Sequence, residues 1–206
     1  GRWLADRVGE QGGDTAGGPL QIMYRVDGSA DLSEETLDHW RGYRDSAPPF
    51  SFPGPDKRPV GYSIDVCMQV ASAIQKQLGM ADLKLNWVPV TAENRIDMVA
   101  QGKVDIECST TTASLSRQER VDFSLMTFVD GGGLLTKSDL KLGAVADLAD
   151  KRIAVIPGTT TETALAKFLK EEFVSVKTVP VKNHLEGLAA IEKESADAFA
   201  SDRGIL

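Results

Sequence analysis

The stretch "VPVTAENRIDMVAQGKVDIECSTTTASLSRQERVDFS", residues 88–124, decides which fold the sequence predicts. It contains the end of a strand, a short helical segment and then a second strand, "VDIEC", at residues 104–108. Ser116 and Glu119 have the spacing of a capping box and predict that another helix starts there. Strands that alternate with helices in this way indicate βα units, in which the strands of a sheet run mainly parallel.

The same alternation continues on both sides of this stretch. Apolar residues recur with a helical period over residues 62–79, and residues 83–90 read as a strand. A second cycle of strands and helices follows the strand-like residues 123–137. We therefore predict an α/β protein with a two-lobed fold, in which flanking helices cover mainly parallel sheets. The predicted lobe 1 covers residues 35–127, and the predicted lobe 2 covers residues 128–206.

The N-terminal part of the chain looks different. Residues 1–34 are rich in glycine and aspartate, and only "LQIMYRV", residues 20–26, resembles a strand. We predict a poorly ordered leader over residues 1–34. The chain starts at Gly1 rather than at a methionine and shows no apolar core of a signal peptide. We therefore expect a processed product or a fragment.

Composition and charge exclude several classes of partner. The chain has 206 residues, of which 42% are hydrophobic, enough for two lobes with cores of their own. Its net charge of -7 argues against nucleic acid and anionic membranes as partners. No apolar run approaches the length of a membrane span. A site for an acidic ligand would have to be locally basic against this overall charge.

The two cysteines, Cys67 and Cys108, leave two readings open. Two cysteines are too few for a disulfide scaffold, and their spacing fits no metal motif. They are either two half-buried free thiols or a single bridge formed in an oxidising compartment. We predict no metal and no cofactor.

Four places combine a strand end or helix start with polar groups that could hold a ligand. These are the hydroxyl run after the strand at 104–108, the threonines of "PGTTTE" at 157–162, two arginines near strand ends, and a histidine with an aspartate. Each has an ordinary explanation as a capped turn, a helix N-cap or a solvated surface charge. Together they supply the groups that would bind an acidic amino acid, because guanidinium and hydroxyl groups bind carboxylates and a carboxylate binds an ammonium group. The candidate residues are Arg44, Arg95, Thr110, Thr112, Arg117, Thr160, His184 and Asp202.

Several segments carry a resemblance to a known family. They include "GYRDSAPPFSF" (42–52), residues 88–124, "IAVIPGTTTETAL" (153–165) and "DAFASD" (197–202). From about residue 36 to the end, the sequence resembles the type II periplasmic solute-binding proteins, the amino-acid-binding family 3 of ABC transporters. Within that family it is most similar to the branch that binds glutamate and aspartate.

The resemblance implies a role for each candidate residue. Arg117 would hold the α-carboxylate of the bound amino acid, together with Thr112 and Thr160. Thr110 and Asp202 would meet the α-ammonium group. The implied mechanism is hinge closure of the two lobes around the ligand, a transition for which periplasmic binding proteins are standard examples.

The side-chain carboxylate of the ligand would meet the remaining three residues, Arg44, Arg95 and His184. Here the sequence departs from the family pattern, because Ala92 stands where that pattern has a serine. The loss of a hydrogen bond to a charged group costs on the order of 1.5–3 kcal/mol. We therefore expect a weaker affinity or an altered preference between glutamate and aspartate.

Two further departures concern lobe 1. The family's first strand should be an apolar run before Gly42, but "ETLDHWRGYR" is polar, so the sequence does not support that strand. The chain also stops at Leu206, whereas the family's chain crosses back to complete lobe 1. We therefore expect the C-terminal part of lobe 1 to be missing.

The resemblance also implies the biological setting. The protein would be a monomeric, periplasmic component of an ABC transporter that delivers L-glutamate or L-aspartate to a membrane permease. The same fold occurs in ligand-sensing domains of receptors and in a few enzymes, such as dehydratases. An enzyme would need a general acid or base, for which His184 and Asp202 are the candidates, but ligand contacts explain both better.

Overall fold

A computed structural model describes residues 19–25 and 39–206 of the chain. The described residues form two compact units. The first unit is Leu20–Phe128, and the second contains Pro19 and Val129–Leu206. The division after residue 128 lies next to the predicted lobe boundary between residues 127 and 128.

The first unit, with the residues at its boundary, contains nine strands and three helices among the described residues. The strands are β1 (Pro19–Leu20), β2 (Met23–Tyr24), β3 (His39–Tyr43), β4 (Phe52–Pro53), β5 (Pro59–Val60), β6 (Leu85–Pro89), β7 (Ile106–Cys108), β8 (Asp122–Phe123) and β9 (Phe128–Val129). The helices are α1 (Tyr62–Gln77), α2 (Arg95–Ala100) and α3 (Leu115–Gln118). Five strands form the main sheet in the order β6-β3-β7-β2-β8.

Strand β3 forms although its sequence is polar. The expectation that the chain has no strand before Gly42 was therefore wrong. It pairs in parallel with β6 on one side and β7 on the other. Arg41 lies within it and is only 3% exposed. Its guanidinium carbon lies 6.0 Å from the centre of the Trp87 ring, and Asp105 attracts it electrostatically. These contacts let a cation occupy a strand that an apolar pattern would not identify.

Strand β2 belongs to the predicted leader but lies inside the main sheet. It runs antiparallel to both β7 and β8, and Met23 is completely buried. The strand-like reading of "LQIMYRV" is therefore confirmed for Met23–Tyr24, which pair within the main sheet. The rest of the predicted leader, residues 1–18 and 26–34, lies outside the described residues.

The two faces of this sheet have different cores. On one face Ile106 and Cys108 pack with Ile22 and with Ile64 and Cys67 of α1. Cys67 and Cys108 form a disulfide, which decides between the two readings left open by the sequence. On the other face Met23 packs with Val99 of α2 and with Val104 and Val121. Helices therefore cover both faces, as the βα pattern predicts.

The second unit is a smaller α/β layer. Its strands are β10 (Gly132–Thr136), β11 (Arg152–Val155), β12 (Lys177–Pro180) and β13 (Ala198–Asp202), and its helices are α4 (Thr160–Glu171) and α5 (His184–Glu192), with a 3-10 turn at Val145–Leu148. The sheet order is β10-β13-β11-β12, in which only β10 is antiparallel. Its core includes Leu148, Ile153, Leu165 and Phe168. The mainly parallel sheets and flanking helices agree with the predicted fold class.

Candidate functional site

In the first unit, the candidate residues follow the ends of three neighbouring strands. Strands β3, β6 and β7 are parallel, so their carboxyl ends lie at the same edge of the sheet. Arg44 follows β3 directly, Arg95 begins the helix after β6, and Thr110 and Thr112 follow β7. Sequence positions 68 residues apart are therefore brought to one edge because the strands that carry them are adjacent.

Arg44 and Arg95 are not the solvated surface charges that arginines usually are. Their exposed fractions are 2% and 3%. The main chain at Arg44 is fixed by Ser51, whose hydroxyl accepts from the Arg44 N–H at 3.0 Å and donates to the Arg44 carbonyl at 2.9 Å. Buried guanidinium groups need compensating negative charge or a ligand.

The hydroxyl run forms a buried loop after β7. Thr110, Thr111 and Thr112 are all buried, and Thr111 is fully inaccessible to solvent. The Ser63 hydroxyl at the start of α1 donates to the Ser109 carbonyl at 2.8 Å. Next to it the Cys67–Cys108 disulfide joins the same helix to the end of β7. The loop is therefore held by a helix that neighbours it in space rather than in sequence.

Arg117 turns back toward this loop. Its Nη1 donates to the Thr112 carbonyl at 2.7 Å. The helix that carries it is capped by Ser114, whose hydroxyl accepts from the Arg117 N–H at 3.3 Å. The prediction that Ser116 caps this helix was wrong by two residues, because Ser114 has the extended backbone that an N-cap needs.

Glu107 lies beneath these residues and was not among the candidates. Its carboxylate is completely buried. Burial holds the pKa of this carboxyl above its ordinary value, although the charges of Arg95, Arg44 and Arg117 and the nearby Thr111 hydroxyl act in the opposite direction. Three predicted ligand-binding arginines therefore share one electrostatic neighbour.

In the second unit, three candidates again lie at one sheet edge. Strands β11, β12 and β13 are parallel to one another, so their carboxyl ends point the same way. Thr160 opens α4 after β11, His184 opens α5 after β12, and Asp202 ends β13. The starts of both helices are fixed locally, because Thr159 caps α4 and Asn183 caps α5 through side-chain hydrogen bonds.

Contacts within the second unit orient His184 and Asp202. The Thr161 hydroxyl donates to the Asp202 carboxylate at 2.9 Å, and Thr161 itself is buried. The His184 ring meets Phe199 edge-on, with ring centres 6.1 Å apart. Gly187 makes this close approach of α5 possible, because a Cβ at that position would lie 2.5 Å from the Phe199 ring.

Sequence reasoning missed Glu107, Thr111 and Thr161. Glu107 was hidden because an acidic residue in an alternating strand is normally assigned to the solvent face. Thr161 was passed over in favour of Thr160, although the first turn of a helix directs consecutive side chains to different sides. Its two neighbours, Ile106 and Cys108, lie on one covered face of the sheet. In a strand that is buried on both faces the residue between them must be buried too, and that pattern could have identified Glu107.

A cavity in the first unit lies away from the candidate residues. It has a volume of about 340 Å³ and is lined by Tyr24, Arg41, Val70 and Ile74 among other residues. None of its described lining residues is a candidate. The described parts of the chain contain no group of three or more histidine, cysteine or acidic residues that could hold a metal ion. Nor does any helix in those parts have the length and apolarity to cross a membrane.

The family profile "Bacterial extracellular solute-binding proteins, family 3" matches residues 41–202. The chain belongs to this family. It is 35% identical over 191 residues to the glutamate/aspartate import solute-binding protein of Escherichia coli, a match that covers 89% of this chain and 63% of that protein. It is 36% identical over 186 residues to the L-glutamate/L-aspartate-binding protein of Pseudomonas aeruginosa, covering 90% of this chain and 62% of that one. The chain thus spans less than two thirds of the length of these relatives.

Solved structures with the same fold include proteins that bind amino acids. An ancestral amino-acid-binding protein, a precursor of cyclohexadienyl dehydratase, has a TM-score of 0.70 and 31% identity, covering 84% of this chain and 73% of that one. The solute receptor for L-cysteine of Neisseria gonorrhoeae has a TM-score of 0.72 and 26% identity, covering 82% and 65%. The type II fold of the periplasmic binding proteins is therefore the fold of this chain.

Proposed function

We propose that this protein is the extracytoplasmic substrate-binding component of an amino-acid ABC transporter and that it binds L-glutamate or L-aspartate. The observation that carries the proposal is the position of Arg44 and Arg95, both buried, at the carboxyl-end edge of a family 3 sheet, with Arg117 bonded to the Thr112 carbonyl in the loop after β7. A protein with a net charge of -7 concentrates positive charge there. Such a local excess favours a ligand with two carboxylates.

The proposal assigns roles to the residues as the family resemblance implies. Arg117, with Thr112 and Thr160, binds the α-carboxylate, and Thr110 and Asp202 bind the ammonium group. Two features support the second assignment. Asp202 is fixed by Thr161, and Thr110 lies in a buried hydroxyl loop. An oriented carboxylate and a hydroxyl oxygen are acceptors for the three ammonium protons.

Arg44, Arg95 and His184 bind the side-chain carboxylate in this proposal. The burial of both arginines supports it, because a guanidinium in a site closed to water discriminates strongly between a carboxylate and a neutral amide. A periplasmic location, a monomeric state and delivery to a membrane permease complete the proposal.

Calorimetric titration with glutamate, aspartate and glutamine tests the assignment. Arg117→Ala should abolish binding of all three ligands, because all three carry an α-carboxylate. Arg95→Ala should weaken glutamate and aspartate by about tenfold or more while it affects glutamine less. Arg58→Ala is the matched control, because Arg58 is 85% exposed in its side chain and lies in the same unit.

Unchanged glutamate affinity in either Arg117→Ala or Arg95→Ala would contradict the assignment. A fold-related enzyme is the second candidate, since a neighbour in structure is the precursor of a dehydratase. Incubation of the protein with isotopically labelled glutamate separates the two functions. A binding protein returns the ligand unchanged, whereas an enzyme produces a new compound in amounts that exceed the protein.

A further inference from the structure

The cavity in the first unit lies on the α1 face of the main sheet. A Cβ at Gly42 would meet the side chains of Val90 and Val104, and Val104 belongs to the core on the α2 face. Because successive strand residues alternate between faces, the side chain of Arg41 is directed to the α1 face. Trp87, whose ring lies next to Arg41, packs against the core on that same face. The cavity volume of about 340 Å³ is within the range of sites that bind small molecules.

The cavity lies toward the amino ends of the parallel strands. Arg41 is in register with Ile106, the first residue of β7, and Asp105 precedes that strand. Ile74 lines the cavity from the second half of α1, whereas the first turn of this helix is bonded through Ser63 to the loop after β7. The candidate residues of this unit follow the carboxyl ends of the same strands. The cavity is therefore separate from the site of the proposed function.

Aliphatic side chains form a large part of the cavity wall. They come from the residue before β2, from the second half of α1 and from the start of β7. These aliphatic residues are Ile22, Val70, Ile74 and Ile106. Ser124 also lines the cavity, but its hydroxyl is engaged, because it accepts from the Ile22 N–H at 3.1 Å and donates to the Leu125 carbonyl at 2.7 Å. Such a wall favours an aliphatic group that leaves water.

One cation and one anion line the same cavity, Arg41 and Asp105. Arg41 is 3% exposed, and within the described residues its Nε and Nη1 have no hydrogen-bond partner. A buried guanidinium with unused donors is unfavourable, so the carboxylate of a ligand would stabilise it. Asp105 is exposed. A carboxylate can accept several hydrogen bonds at once, so Asp105 can accept from an ammonium group while it also attracts Arg41.

We propose that this cavity is a second binding site, which takes an aliphatic amino acid such as leucine. The α-carboxylate of the ligand pairs with Arg41, its ammonium group pairs with Asp105, and its branched side chain lies against the aliphatic wall. One charge of each sign beside an apolar surface matches such a ligand. Glutamate would instead place a second carboxylate against apolar side chains, which is unfavourable. This inference goes beyond the proposed function and does not rest on it.

Titration of the full chain with leucine, followed by NMR of the isoleucine δ-methyl groups, tests the site. The methyl signals of Ile22, Ile74 and Ile106 should shift and saturate with a Kd of about 1 mM or lower. The signal of Ile153, in the core of the second unit, should not shift. The absence of a saturable shift at the three lining residues would overturn the proposal.

The same titration in the presence of saturating glutamate separates this inference from the proposed function. Leucine should give the same shifts, because the two sites are separate. If glutamate abolishes them, the two ligands compete for one site and the inference is overturned. If leucine shifts the lining residues but the protein does not bind glutamate, the proposed function is wrong and the inference stands.

Two analogues of leucine test the charged contacts. Isocaproate lacks the ammonium group and isoamylamine lacks the carboxylate, so each should bind about tenfold more weakly than leucine. Asp105→Asn removes the anion without changing a buried side chain. It should lower the affinity for leucine and leave the affinity for isocaproate unchanged or higher. Equal losses for leucine and isocaproate would show that Asp105 does not bind the ammonium group.

Ile74→Phe tests the apolar wall without changing a charged group. The larger side chain occupies part of the cavity, so the affinity for leucine should fall about tenfold or more. Ala73→Phe is the matched control, because Ala73 is exposed at the preceding position of α1 and is not among the residues that line the cavity. It should leave the affinity for leucine unchanged. Equal affinities in the two variants would overturn the proposal, and circular dichroism checks that both are folded.

Discussion

Single residues decide how selective the proposed site is, and Ala92 is the one at which this chain departs from the family pattern. Ala92 is buried, three residues before Arg95 in the turn that opens α2. That turn is already fixed by Thr91 and Asn94. The Asn94 amide oxygen accepts from the Thr91 N–H at 2.8 Å, and the Thr91 hydroxyl accepts from the Asn94 N–H at 3.2 Å. A new hydroxyl at residue 92 would therefore be free to meet a ligand.

Ala92→Ser should strengthen the binding of glutamate. The added hydroxyl donates to the ligand's side-chain carboxylate, and a hydrogen bond to a charged group contributes about 1.5 kcal/mol or more. We expect roughly a tenfold lower Kd for glutamate in calorimetry. Ala113→Ser, in the loop before α3, serves as a control for adding a hydroxyl elsewhere. Equal or weaker glutamate binding in Ala92→Ser would show that residue 92 does not face the ligand.

The Asp197–Arg152 pair predicts how stability depends on pH. The Asp197 carboxylate accepts from the Arg152 Nη2 at 2.6 Å, from Nε at 3.1 Å and from the N–H at 2.8 Å. These bonds lower the pKa of Asp197 from 3.8 to about 2. A carboxyl whose pKa is lower in the folded state stabilises the fold above pH 3.8, and this contribution is lost as the pH falls toward 2.

Asp197→Asn should therefore destabilise the protein by about 1 kcal/mol near neutral pH, allowing for the solvent screening of a partly exposed pair. The difference from the unmodified protein should shrink between pH 4 and pH 2. Urea unfolding followed by circular dichroism at several pH values measures it. Asp56→Asn, in the exposed Asp56–Arg58 pair, should change stability little at any pH. A pH-independent difference for Asp197→Asn would rule out the ion pair as its cause.

At the scale of the element, β2 shows that a short segment can complete a sheet. Its two residues pair with β7 on one side and β8 on the other, so the sheet would be interrupted without them. The adjoining Leu20 and Ile22 are 1% and 5% exposed. The matched profile of the family begins only at residue 41, so this segment contributes to a family fold from outside the matched region.

Met23→Ala should destabilise the first unit by about 2–5 kcal/mol, the usual cost of truncating a fully buried large side chain. Urea unfolding followed by circular dichroism gives the free energy of unfolding. Met68→Ala is the matched control, because Met68 is 44% exposed on α1, and its effect should stay within about 0.5 kcal/mol. Equal effects of the two substitutions would mean that β2 is not part of the stable sheet in solution.

At the scale of the whole molecule, the two units follow the same plan. Each has a sheet whose parallel strands end at one edge, and each places its candidate residues at that edge. The first unit supplies cations and hydroxyls, namely Arg44, Arg95 and Arg117 with the threonine loop. The second supplies Asp202 and His184. Under the proposed function, this division suits a zwitterion, because its carboxylates and its ammonium group need partners of opposite charge.

The sequence by itself determined the features that depend on near neighbours. Strand and helix periods gave the α/β cycles, and the caps Thr159 and Asn183 act within three residues. The candidate arginines were found because they follow strand ends, and parallel strands collect such ends at one edge. The family match over residues 41–202 confirms that the motif-based reading of the fold was right.

Only the tertiary structure decided the features that join distant residues. Alternation with a period of two says that Glu107 and Cys108 face opposite ways, but not on which face of the sheet each side chain lies. The pairing of β2 with β7 joins residues more than 80 positions apart, and the Cys67–Cys108 bridge joins residues 41 apart. Such contacts depend on which strands become neighbours, and that is set by the packing of the whole unit rather than by any local pattern.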